Sequence, residues 1–173
     1  MRFDRNRYSV HCRAAGKLVS LRAYARGIVV VHQGEFVAEH ARAFGRDKSV
    51  YDPWHYVPTL TRKPGALRNG APFQDWELPA GLARVRKQLA KAQDGDRQFV
   101  AILAAALQDG LGAVECACEQ ALGQGVVSAD AVLNLLARSR DSHPVAVAVP
   151  TGLQLTVEPS ANVARYDTLL GCA

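Results

Sequence analysis

The sequence predicts an α+β chain. A small β-barrel is expected over residues 1–60, a Pro/Gly-rich arm over 61–77, a helical bundle over 78–141 and an extended tail with a short terminal helix over 142–173. Three observations carry that reading. Apolar residues alternate with a period of two between Lys17 and His40, as in half-buried strands. From Leu78 they recur at helical spacing. From Val145 the alternation returns.

The strands come first. Arg7–Val10 reads as a short extended segment. In Lys17–Tyr24, Leu18, Ser20, Arg22 and Tyr24 point one way, and Val19, Leu21 and Ala23 the other. Gly27 ends that run. Ile28–His32 and Glu35–His40 flank Gln33-Gly34, a two-residue turn that makes them a hairpin, with Phe36 and Ala38 on one face. A few short strands with tight turns cannot build an open sheet with two dry faces, so a small, strongly curved barrel is the economical arrangement. Residues 41–74 carry Pro53, Pro58, Pro64 and Pro72 among the anchors Phe44, Tyr51, Trp54, Tyr56 and Phe73. A stretch so composed packs over a surface.

The helices come next. Leu82, Val85 and Leu89 form one apolar stripe. Asp94-Gly95-Asp96 ends it and caps the next helix, whose stripe is Phe99, Ile102, Leu103, Ala106 and Leu107, closed by Gly110. Ala113–Leu122 is a third helix, ended by Gly123 and Gly125. Ser128 caps a fourth, with Val132, Leu133, Leu135 and Leu136 inward and Arg138 and Arg140 in its last turn. Short connections make neighbours antiparallel. In the tail, Val145, Val147 and Val149, then Leu153, Leu155 and Val157, suggest a hairpin or an arm that adds to a sheet edge, and Val163–Leu170 a final helix.

The charge is as divided as the fold. Residues 1–70 hold 13 Lys and Arg against 5 Asp and Glu, while 71–173 hold 8 against 11. No acid occurs between Asp52 and Asp75, where Arg62, Lys63 and Arg68 stand. A one-sided basic part suggests a polyanion as partner. Arg5, Arg7, Lys17, Arg22, Arg26, Arg46, Lys48, Arg62, Lys63 and Arg68 can each donate to a phosphate, Arg with two parallel bonds. Tyr8, Tyr24, Trp54 and Tyr56 lie among them, with core packing the favoured role for these rings.

Other function classes find little support. There is no apolar run of membrane-spanning length, no apolar leader, no Gly-rich phosphate loop and no nucleophile elbow. Cys12, Cys116, Cys118 and Cys172 fit neither a disulfide framework nor a zinc site, so a reduced cytoplasmic chain is expected. His32 and His40 flank the hairpin and are read as cross-strand surface neighbours. Asp47 and Asp52 are read as solvated loop acids rather than metal ligands. No catalytic residue, metal or cofactor is expected.

Three segments together resemble one family. They are Arg5-Asn6-Arg7-Tyr8-Ser9-Val10; Gly34 to His40 with Phe44-Gly45-Arg46; and Tyr51-Asp52-Pro53-Trp54-His55-Tyr56 leading to Arg62-Lys63-Pro64-Gly65-Ala66-Leu67-Arg68-Asn69-Gly70. They look like the C-terminal region of the IstA transposases, retroviral-integrase-like DDE enzymes that work with an AAA+ ATPase helper. The terminal Ala164–Leu170 is similar to the segment closing such chains. The resemblance implies an SH3-like barrel, a place in DNA transposition and nucleoid association. It implies double-stranded DNA, other transposase subunits and the ATPase helper as partners. It covers the barrel and the residues C-terminal to it, so it carries over no catalytic residue. The resulting expectation is a DNA-holding and assembly region that contacts backbone phosphates with little sequence preference. The alternative is a protein-interaction module whose basic face answers an acidic partner.

Overall fold

The computed structural model describes residues 1–140. The tail expected over 142–173, with its alternating valines and terminal helix, lies outside the described residues. The described part is mixed α+β, with six strands and six helices.

The strands are β1 (Arg2–Phe3), β2 (Asn6–Tyr8), β3 (Ser20–Ala23), β4 (Gly27–His32), β5 (Glu35–Ala41) and β6 (Ser49–Val50). They form two three-stranded sheets, β1-β2-β6 and β3-β4-β5. In the first, β2 pairs antiparallel with β1 and parallel with β6. In the second, β4 is central and both pairings are antiparallel. The two sheets share one small core of Tyr8, Ile28, Val30, Val37 and Ala38, ringed by Phe3, Val19, Leu21 and Val50.

No closed barrel forms among the described residues, which corrects the expected closure. Strands of two or three residues offer too few groups for a ladder joining the sheets. Side chains make the joins instead. The Tyr8 hydroxyl accepts from Ala43 N at 2.9 Å, and His40 Nε2 donates to Ser9 O at 2.7 Å.

The β4–β5 hairpin forms where its turn pair predicts, with Gln33 and Gly34 both at positive φ (51° and 86°). Its face pattern differs from the expectation. Val30 pairs with Ala38 and Val31 with Phe36, so Val37 is an extra residue. This bulge turns both Val37 and Ala38 inward and Phe36 outward. His32 and His40 are not cross-strand surface neighbours: the two-residue turn pairs His32 with Glu35, while His40 lies at the far end of the hairpin opposite Ile28 and is buried.

Residues 61–77, expected as a Pro/Gly-rich arm, pack onto the helical core together with residues 51–60. A 3-10 turn (Pro53–Tyr56), α1 (Val57–Leu60), α2 (Ala66–Asn69) and a second turn (Ala71–Phe73) send Val57, Leu60, Leu67 and Phe73 into the helical core. Trp54 and Trp76 stack edge to face there, with centroids 5.1 Å apart. The prolines and glycines punctuate a buried path, because four large apolar anchors outweigh the lack of regular backbone pairing.

The helical region is α3 (Ala80–Leu89), α4 (Gly95–Asp109), α5 (Leu111–Gly123) and α6 (Ala129–Arg140), with α5 packed against α3, α4 and α6. Most of the predicted stripes fill its core: Leu82, Val85, Leu89, Phe99, Ile102, Leu103, Ala106, Val132 and Leu136 are buried, whereas Leu107 at the end of α4 is exposed and Leu133 and Leu135 are half-buried. Glu115 of α5 accepts from the free backbone N–H groups of Gly81 (2.6 Å) and Leu82 (3.0 Å), capping α3 from outside. Ser128 caps α6 through Ala131 N at 3.1 Å, as its position predicts. Gly95 starts α4 where a Cβ would stand 1.8 Å from Leu89 O, so only glycine lets α3 and α4 meet there.

Candidate nucleic-acid interface

Asn6 organises a group of four of the predicted cations. It is fully buried. Its Nδ2 donates to the carbonyls of Ala43 (3.0 Å) and Gly45 (3.2 Å), and its Oδ1 accepts from Lys48 N (3.0 Å). These bonds fold the 43–48 loop against the β1–β2 turn. There Asp47 N donates to Arg5 O at 3.1 Å and Arg7 N to Lys48 O at 2.8 Å. Arg5, Arg7, Arg46 and Lys48 are thereby carried on one cluster of loop and strand.

Arg2, which sequence reasoning missed, joins them. It sits directly opposite Arg7 in the β1–β2 register, and directly opposite residues project to the same face. Two like charges so placed repel each other. Among the described residues, no carboxylate lies within 4.0 Å of Arg2, Arg5, Arg7, Arg46 or Lys48 to offset this. A signal was present in the sequence as the succession Arg2, Arg5, Arg7, but the register that pairs the outer two depends on a turn through Asp4 and Arg5, both at positive φ.

The other predicted cations are placed elsewhere. Arg22 lies opposite Val29 on the outward row of the second sheet, Lys17 in the turn before β3, and Arg26 in the β3–β4 turn. Arg26 borders an open cleft of about 810 Å³ with Tyr24, Val29 and Glu39. Arg62 and Lys63 occupy the turn after α1, where Arg62 shares a smaller cleft with Cys12 and Arg13. Arg68 differs from all of these. Its Nε lies 2.7 Å from Asp96 Oδ2, tying α2 to the first turn of α4. It serves an internal ion pair, 28 residues apart in the chain, which no local pattern reveals.

The aromatics divide in the same way. Tyr8 is core, Trp54 packs on the helical core, and Tyr56 is half-buried against Phe73. Tyr24 is exposed, and so is Tyr51, at 42%. Burial and the neighbouring Tyr51 push the Tyr56 phenol above its ordinary pKa, so it remains a neutral donor.

A polar joint lies where the first sheet meets the 53–60 segment. The Ser9 hydroxyl accepts from Asp52 N at 2.8 Å and pairs with His55 Nδ1 at 2.9 Å. His55 Nε2 faces Asp52 Oδ2 at 3.4 Å, and Asp52 Oδ1 accepts from Trp54 N. The His40 ring stands edge-on to His55, with centroids 5.5 Å apart. Burial lowers the His55 pKa, with the Asp52 carboxylate opposing and His40 and His11 assisting. Asp52 is therefore a turn cap and an imidazole partner. Asp47 is held at positive φ in the basic loop. No group of three or more His, Cys, Asp or Glu among the described residues could hold a metal ion. Burial and Glu115 push the Cys118 thiol up to about 12, which leaves it unreactive.

A rim of four arginines and one lysine beside a small two-sheet unit, with no carboxylate in ion-pair reach among the described residues, can donate to several phosphates. Residues 1–52 match the family described as Mu transposase, C-terminal domain. The chain resembles part of a transposase. It is 46% identical over 170 residues to the transposase for insertion sequences IS1326/IS1353 from Pseudomonas aeruginosa, and equally to that from Shigella flexneri. It is 45% identical over 174 residues to a transposase from Aminobacter aminovorans. These alignments cover 95–96% of this chain and 33–34% of each relative, so the chain spans about one third of the length of the curated relatives it matches. No solved structure matches it. No helix among the described residues is long and apolar enough to cross a membrane.

Proposed function

We propose that this chain is the DNA-holding and assembly region of a transposase, acting in DNA transposition in the cytoplasm, at the nucleoid. It binds duplex DNA through backbone phosphates and leaves strand cutting to another part of the enzyme. The observation that carries this reading is the Asn6-organised rim of Arg2, Arg5, Arg7, Arg46 and Lys48, with no carboxylate partner among the described residues. Lys17, Arg22 and Arg26 extend the basic surface over the second sheet, and Arg62 and Lys63 over the turn after α1. Arg68 is left out because Asp96 already engages it. The IstA type and its AAA+ ATPase helper belong to the same proposal, supported by the family-like segments between Arg5 and Gly70.

Salt tests it. Affinity for a duplex oligonucleotide should fall steeply between about 50 and 200 mM salt, with a log–log slope equivalent to several released counterions. Joint reversal of Arg7, Arg46 and Lys48 to Glu should weaken binding at low salt by about 100-fold or more, while far-UV circular dichroism stays unchanged. No duplex binding by the wild-type chain at low salt would sink the proposal.

A second reading has its own observation. The outward row of the β3-β4-β5 sheet presents Val29, Val31 and Phe36, and Leu18 beside it is 94% exposed. Such a face suits contact with another transposase subunit or the helper. Leu18→Glu with Phe36→Glu, both at exposed positions of that face, separates the readings. Loss of subunit association with DNA binding intact favours the interaction module.

A further inference from the structure

The two opposed arginines open onto a cleft of about 400 Å³ whose other wall is Tyr51 and Tyr56. Its construction is specific. Arg2 and Arg7 share one cross-strand position, and β6 places Ser49 beside Arg7 in parallel register. Tyr51 comes directly after β6. Its ring meets Tyr56 edge to face, with centroids 6.4 Å apart, and Tyr56 is backed in turn by Phe73 at 6.3 Å. The result is two cations with no acid within ion-pair reach among the described residues, facing an exposed ring that is braced from behind.

We propose that this cleft holds one unpaired nucleotide of a DNA strand. Its phosphate would bridge the Arg2 and Arg7 guanidiniums, and its base would lie on the Tyr51 ring. Three points of chemistry select that ligand. Two adjacent guanidiniums repel each other until an anion with several acceptor oxygens lies between them. A braced aromatic ring accepts any base face, which suits a sequence-tolerant contact. The cleft has the volume of a small-ligand site, and a base that is still stacked in a duplex does not reach it, since flipping one out carries an unstacking and unpairing cost that an unpaired nucleotide does not incur. The inference rests on the DNA-binding reading above and adds to it an unpaired end or a flipped-out base as the feature recognised.

The test compares a blunt duplex with the same duplex carrying a short single-stranded overhang that contains 2-aminopurine. The wild-type chain should bind the overhang form about tenfold more tightly and quench the probe's fluorescence by stacking. Tyr51→Ala should remove both the preference and the quenching and leave blunt-duplex affinity in place. Tyr51→Phe should keep both, since the ring and not the hydroxyl makes the contact. Equal affinity for the two duplexes with an unquenched probe would overturn the cleft assignment while leaving backbone binding standing. Displacement of the overhang by millimolar dAMP, with blunt-duplex binding intact, would assign the cleft to free nucleotides and overturn it too. Failure to bind either duplex would instead remove the DNA-binding reading and this inference with it.

Discussion

The two-sheet region and the helical region solve the same problem by opposite means. The helices bury twenty apolar residues in one continuous cluster, from Val57 to Leu136, so that polar contacts add to a packing that burial already favours. The sheets bury six, so their architecture leans on side-chain hydrogen bonds from Asn6, Tyr8, Ser9 and His40. So small a core gains too little from burial to stand far above the cost of ordering its chain. The difference shows where function can be placed. The region with the thinner core carries the Asn6-organised cations and the clefts beside Arg2 and Arg26. The region with the thicker core holds its partly buried acids in internal contacts, as in Arg68–Asp96 and Arg140–Asp109.

The largest break in that comparison should come from the thick core. Phe99 of α4 is buried there, and Phe99→Ala should cost about 3–5 kcal/mol in urea unfolding. The sheets should fall with the helices. Hydrogen exchange at the Ile28 and Val30 amides should accelerate in this variant, because the Ser9–His55 joint links the regions and six buried apolar residues cannot hold the sheets alone. Sheet amides that stay protected while the helices open would show that the regions fold independently.

Asn6→Ala attacks the thin core through its polar pins. It leaves two carbonyls and one backbone N–H of the 43–48 loop without their partner, and should cost about 1–3 kcal/mol. It should also flatten the salt dependence of DNA binding, since Arg46 and Lys48 lose their fixed place. A stable variant with unchanged salt slope would mean that the loop is held by something else.

How much of this was legible in the sequence obeys the same division. Most of the stripe residues of α3, α4 and α6, the Ser128 cap and the Gln33-Gly34 turn are local patterns, and the structure carries them, with Leu107 turned out to solvent as the exception. The features that escaped were non-local or rested on a single residue. The Val37 bulge reverses the outlook of Phe36, and no alternation pattern marks which residue is the extra one. The Arg2–Arg7 pairing depends on a tight turn through Asp4 and Arg5, neither of which is a glycine. Arg68 looked equivalent to Arg62 and Lys63 because its partner Asp96 is distant in sequence. The barrel failed to close because β1 and β6 are only two residues long, a length that alternation cannot measure.

Ser128→Ala sharpens the comparison from the other side. It removes one cap from α6 and should cost about 1 kcal/mol of stability, with duplex affinity and its salt slope unchanged. A change in DNA binding would show that the helical region takes part in the contact.

The smallest effect should come from pH at the joint between the regions, because burial and the Asp52 carboxylate pull His55 in opposite directions. Burial prevails and holds the folded pKa below the usual value of about 6.5. Above that value neither the folded nor the unfolded chain protonates His55, and its contribution to stability is complete. As pH falls through that value, the unfolded chain takes up the proton first, so stability declines until the folded pKa is reached. His11, also lowered by burial, acts in the same direction. Protonation also changes the joint: with both ring nitrogens donating, Nδ1 no longer accepts, and the Ser9 hydroxyl proton has to swing to another acceptor. Urea midpoints should therefore drop between about pH 7.5 and 5.5 in the wild-type chain and drop less in His55→Asn, which keeps an acceptor near Ser9 but does not titrate. Equal drops in the two chains would move the pH sensitivity away from this joint. If the drop is at the joint, acidification should also loosen the sheets relative to the helices, with amide exchange rising at Tyr8 before Leu103.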